Sequence, residues 1–169
     1  MKLSNVRFDH GLLNNLLSSH ILRIINKMKK IAFNIIDVVE YDYNNTDGTI
    51  SNHRVAVDVA NFTSLTGKPD GMTIDIDDNL WIALYGGGAV IHANPRTGEL
   101  LQVVALPARD VTSAMWGGPN LDILFVTTSR VSLTDEEKKY YPAAGGVFAI
   151  RHLHTKGLPV FNAKIIDSI

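Results

Sequence analysis

Pro69-Asp70-Gly71 sets one carboxylate between a residue whose ring fixes φ and a residue with no side chain, immediately ahead of the alternating run Met72-Thr73-Ile74-Asp75. An aspartate offers hard oxygen donors, which suit calcium, magnesium, manganese or zinc, and it can take a proton from water. Asp-Gly is also a common turn, and at this level the dipeptide reads first as a structural device. Other residues capable of chemistry are less promising. Gly86-Gly87-Gly88 suggests a phosphate cradle, but a strand pattern follows it instead of a helix N-terminus, so a tight turn is expected. His152 and His154 alternate as if on one strand face, and a solvated surface pair is expected. His53 and His92 stand alone, with no acidic partner evident in the sequence. Ser113 and Ser129 lack the strand-turn-helix context of a serine nucleophile.

These residues must be positioned by strands. From residue 31 onward, apolar runs of four to eight residues alternate with Gly, Asn, Asp and Pro, the pattern of consecutive antiparallel strands. Strands are predicted over Ile35 to Asp42, Ile50 to Val59, Gly71 to Asp75, Leu80 to Leu84, Ala89 to Ala93, Glu99 to Ala105, Thr112 to Trp116, Ile123 to Thr128, Gly146 to Ile150 and Pro159 to Ile165. The segment "MTIDIDDNLWIALYGGGAVIHA" is echoed by "SAMWGGPNLDILFVTTSR" and, after a gap, "GGVFAI". About four strands recur every 40 to 50 residues or so, the size of a propeller blade. The gap "VSLTDEEKKYYPAA" reads as an insertion with one turn of helix, capped by Thr134 with Glu137 three residues on. Trp81, Trp116 and Tyr85 are expected to pack within blades, with Tyr85 also within reach of a channel mouth. The fold class is therefore all-β, a partial β-propeller.

Residues 1–30 differ. "LLNNLLSSHILRIINKMKK" spaces its leucines and isoleucines at three and four residues, which predicts an amphipathic helix too often interrupted by polar residues to span a membrane. Two regions are expected: 1–30, a helical extension, and 31–169, the partial propeller.

The succession "KPDGMTIDIDDNLWIALYGGGAVIHANPRTGELLQVVALP", "TSAMWGG", "ILFVTTSR" and "AGGVFAI" resembles the later blades of the regucalcin/gluconolactonase (senescence marker protein) family. The resemblance implies a six-bladed propeller with one divalent metal in its channel, and hydrolysis of sugar lactones such as gluconolactone. It implies that Asp70 is both metal ligand and general base, and that calcium or zinc, with magnesium or manganese as alternatives, is the cofactor. The family's further ligands come from earlier blades that this chain does not show, so a truncated product, weak or inactive alone, is expected. About three blades also leave exposed blade faces, which self-association would cover. The alternative function is a noncatalytic calcium-binding or scaffold protein.

Composition limits the remaining partners. In 169 residues with 20% charged and a net charge of −1 there is no basic footprint for nucleic acid. No transmembrane segment is expected, and the absence of cysteine removes disulfides, thiolate metal sites and thiol nucleophiles. A cytoplasmic location is the expectation.

Overall fold

The computed structural model describes residues 37–44 and 46–159. The expected helix over 1–30, the boundary near residue 30 and most of the expected strand over 159–165 lie outside the described residues. Among the described residues nine strands follow in order: β1 (Asp37–Tyr43), β2 (Ile50–Asp58), β3 (Lys68–Ile74), β4 (Leu80–Tyr85), β5 (Ala89–Ala93), β6 (Leu100–Ala105), β7 (Asp110–Gly117), β8 (Ile123–Ser129) and β9 (Val147–Ile150). All pairings are antiparallel, in three sheets ordered β1-β2, β3-β4-β5-β6 and β7-β8-β9. The middle sheet is one full blade, flanked by two strands of the blade before and three of the blade after. The chain is an all-β partial propeller, as the strand pattern predicts.

The middle sheet is buried on both faces where its central strands β4 and β5 carry apolar residues at nearly every position. Successive side chains of a strand point to opposite faces. In β4, Leu80, Ile82 and Leu84 join Val38, Val57 and Val59 in one core, while Trp81 and Ala83 join Val111, Ala114, Trp116, Leu124 and Val126 in the other. Full burial of each such aliphatic side chain contributes about 1.5–3 kcal/mol. The outermost strand β6 is less covered, with Leu101 and Val103 exposed.

The connections follow local chemistry. The three glycines after Tyr85 form the tight β4–β5 turn, with Gly86 and Gly88 at positive φ. The insertion before β9 carries helix α1 (Asp135–Tyr140) with the expected capping box: the Glu137 amide donates to the Thr134 hydroxyl, and the Thr134 amide donates to the Glu137 carboxylate.

Pro69-Asp70-Gly71 departs from expectation. It is not a turn ahead of the strand but a bulge inside it: β3 starts at Lys68, Pro69 pairs with Leu84 and Met72 with Ile82, so Asp70 and Gly71 together oppose Ala83. Proline is tolerated because β3 is the edge strand of its sheet, where a missing N–H breaks no ladder between two neighbours. Gly71 is required for closeness and not for an unusual φ. A Cβ there would fall 2.3 Å from Ser113 Oγ and 2.7 Å from Ser113 Cα on β7. Gly71→Ala should therefore cost about 1–3 kcal/mol by overpacking, read as a lower urea midpoint at constant slope; an unchanged midpoint would mean that the two strands can part without penalty.

Candidate functional site

Asp70 lies near the start of β3, half-buried, at the bulge. In a propeller the first strand of each four-stranded blade borders the central channel, and here the first strands β3 and β7 meet at Gly71 and Ser113. β7 is irregular at the same level, between Val111 and Ser113. The main chain just after Asp70 and the Ser113 side chain, from successive blades, are thus brought together. Among the described residues there is no group of three His, Cys, Asp or Glu side chains able to hold a metal ion. A divalent cation needs more donors than one aspartate provides, so the described residues alone do not fit a closed metal site.

A second acidic centre at this end escaped the sequence reading. Asp110, at the start of β7, is fully buried. Arg109 Nε donates to its Oδ1 at 2.9 Å and Nη2 to its Oδ2 at 3.0 Å, and the Ser132 hydroxyl donates to Oδ2. Burial pushes the Asp110 carboxyl up, but the hydrogen bonds from Arg109 and Ser132 outweigh it and hold the group below the usual value. Arg109 also pairs with Glu137 of α1, and Tyr85 Oη donates to Ser132 Oγ at 2.9 Å. Tyr85 is therefore not a packing aromatic like the buried Trp81 and Trp116: it is 37% exposed and ties the insertion to the end of β4. Since Tyr85 pairs with Lys68 across the ladder, the insertion sits at the Asp70 end of the sheets. Nothing in the sequence marks Asp110 as buried, because Arg-Asp neighbours are ordinarily a surface feature.

The far end of β3 carries a buried polar cluster, and here one expectation is corrected. His92 is not isolated: its Nε2 lies 2.8 Å from Asp75 Oδ2, which also accepts from Trp81 Nε1 at 3.0 Å. Asp75 Oδ1 accepts from the amides of Asp77 and Asn79 at 3.0 and 2.9 Å. The His92 ring stacks on Trp81, centroids 4.3 Å apart. The partners are 17 residues apart and meet only because Trp81 and His92 are cross-strand neighbours and β3 hairpins into β4. The cluster joins β3, β4 and β5 and lies at the end of the blade away from Asp70, so it is structural.

His152 and His154 also differ from expectation. β9 ends at Ile150, and both histidines sit at positive φ, 61° and 58°, in irregular chain. They are exposed, as expected, on the rim of a cavity of about 500 Å³ that Asp77, Asp122 and Arg151 also line. His53 packs edge-on against Tyr41, centroids 5.1 Å apart. Ser129 Oγ accepts from the Val131 amide in a local turn.

Comparison with known proteins places this geometry. Residues 35–130, more than half of the chain, match the model of the SMP-30/Gluconolactonase/LRE-like region. The chain is 39% identical to regucalcin of Bos taurus over 121 residues (72% of this chain, 40% of the relative) and 32% identical to regucalcin of Danio rerio over 166 residues (95% and 55%). It is 37% identical, over 72% of its length and 40% of the relative, to a Bacillus subtilis protein whose name makes it a candidate sugar lactone lactonase. Among solved structures it superposes on a luciferin-regenerating enzyme with TM-score 0.66 and 37% identity (73% of this chain, 40% of that one). It superposes on a regucalcin from Agrobacterium tumefaciens, titled a calcium-binding protein, with TM-score 0.64 and 24% identity (73% and 41%). The chain spans about half the length, or less, of the relatives it matches.

Proposed function

The chain belongs to the SMP-30/Gluconolactonase/LRE-like family, and from this premise we propose that it acts in the hydrolysis of sugar lactones such as gluconolactone, with Asp70 as general base and metal ligand. The observation that carries the reading is the bulge at Asp70-Gly71, which interrupts the first strand of a blade where it touches the first strand of the next. Bulges recur beside active sites because they re-aim one side chain without ending the strand. On this reading Asp70 orients a water and takes its proton as the water oxygen bonds to the lactone carbonyl carbon. The ring C–O bond then breaks, the proton passes to the departing oxygen, and the open sugar acid is released. A divalent cation, calcium or zinc with magnesium or manganese as alternatives, would supply carbonyl polarisation when bound. Asp70 would be one of its oxygen ligands.

The test is lactone turnover with and without a chelator and with Asp70→Asn. A second reading is a noncatalytic calcium-binding or scaffold protein. It predicts no turnover in any of these conditions.

Self-association belongs to the same proposal. Met115, Phe125 and Val147 are exposed at 56%, 39% and 65%, on strands paired in register, and Tyr43, Ile50 and Val55 are exposed on the other terminal sheet. A second copy stacking these faces would bury them as the middle sheet's faces are buried. Light scattering should give twice the chain's mass, and Phe125→Asp the single mass; a monomeric parent chain would overturn this. Among the described residues no helix is long and apolar enough to cross a membrane. A cytoplasmic location is part of the proposal, and so is the division at residue 30 into a helical extension and the propeller.

A further inference from the structure

We infer that Ser113 is the second protein group of the Asp70 site, donating a hydrogen bond to an oxygen of the bound lactone; this rests on the reading of Asp70 as the hydrolytic residue. Two successive first strands lose their ladder register at the same level, β3 between Pro69 and Met72 and β7 between Val111 and Ser113. The irregularities touch each other. The space where a Cβ of Gly71 would stand is filled by Ser113, whose Oγ, Cβ and Cα lie 2.3, 2.6 and 2.7 Å from that point. The serine hydroxyl is therefore seated against the main chain of the residue that follows Asp70.

The neighbouring hydroxyls at this level have partners within the protein. Thr112 and Thr127 hydrogen-bond each other at 2.8 Å, and the Thr73 hydroxyl contacts Met115 Sδ at 3.9 Å. Ser113 Oγ makes no side-chain hydrogen bond among the described residues, and the residue is only half-buried. Polar atoms normally find a partner, and a hydroxyl seated against the residue that follows Asp70, with no side-chain partner among the described residues, can take it from a ligand. A polyhydroxylated ring suits this pair: the hydroxyl donates to a ring or hydroxyl oxygen of the substrate, while the carboxylate serves the water. No histidine hydrogen-bonds Ser113 among the described residues, so its role is binding and not nucleophilic attack.

The test is steady-state hydrolysis of glucono-1,5-lactone by the chain and by Ser113→Ala, with gluconate binding measured by calorimetry. Removal of one oxygen next to Gly71 adds no atom to a crowded contact, so the fold should persist, which the thermal transition checks. The expected result is a KM raised about 3- to 10-fold, the effect of one neutral hydrogen bond, with kcat within about twofold and gluconate bound correspondingly more weakly. Unchanged KM and gluconate affinity in Ser113→Ala, with an active parent chain, would overturn the role of Ser113 and leave that of Asp70 intact. A parent chain that neither turns over lactone nor binds gluconate would overturn both.

Discussion

Asp70→Asn is expected to lower lactone turnover about 10²- to 10⁴-fold, the range associated with removing a positioned general base. Asparagine keeps the shape of aspartate, so the bulge between Pro69 and Met72 and the contact of Gly71 with Ser113 should survive. What it removes is the negative charge that, under the proposed mechanism, would accept the proton of the attacking water and hold a cation. Turnover should be followed by acid release, with the spontaneous opening of the lactone subtracted, and the folded state checked by the same thermal transition as the parent chain. Chelator should cost the parent chain a comparable factor and cost Asp70→Asn nothing more, because both changes remove one assembly. Full turnover in Asp70→Asn would remove Asp70 from the chemistry and leave the bulge as a packing device.

The largest effect on stability is expected at the opposite end of the same strand. Asp75→Ala should destabilise the chain by about 3–5 kcal/mol, the cost of leaving several buried donors without their shared acceptor. Four donors lose their acceptor at once: Trp81 Nε1, His92 Nε2 and the amides of Asp77 and Asn79. Urea denaturation of the variant measures this, and a loss below about 1 kcal/mol would mean that the cluster relaxes or fills with water.

The same group sets an acid limit. Burial pushes the Asp75 carboxyl up, but the hydrogen bonds from His92, the Asn79 amide and Trp81 more than compensate, and it lies below the usual carboxylate value. A carboxyl whose folded value is depressed contributes stability that is present above its unfolded pKa, about 3.9, and is lost as pH falls through the lower folded value. Asp110 shifts in the same direction. Stability should therefore hold at neutral pH and fall in the acid range, and the Asp75→Ala variant should show a shallower acid loss than the parent chain.

Much of the architecture was legible because strands announce themselves locally. The alternation in "ILFVTTSR", the fully apolar β4 and the glycine turn after Tyr85 each state their conformation within a few residues. The capping box at Thr134 was legible for the same reason: its two partners are three residues apart. The Asp70 position was legible only through resemblance to a family, since Asp-Gly by itself reads as a turn. Its setting was misread for a definite reason. Proline usually ends a strand, and only the strand order shows that β3 is an edge where proline is harmless. The contacts of His92 with Asp75, Tyr85 with Ser132 and Gly71 with Ser113 were beyond local reading. They join residues 17, 47 and 42 positions apart.

The sequence by itself determined the all-β class, the blade-length repeat and the family, because these depend on residue period and on ordered short motifs. Tertiary structure alone decided which residues share a site. Gly71 meets Ser113, and Asp75 meets His92, through ladder register and sheet stacking. Those depend on burying both faces of the middle sheet at once, a constraint that no single stretch of chain contains.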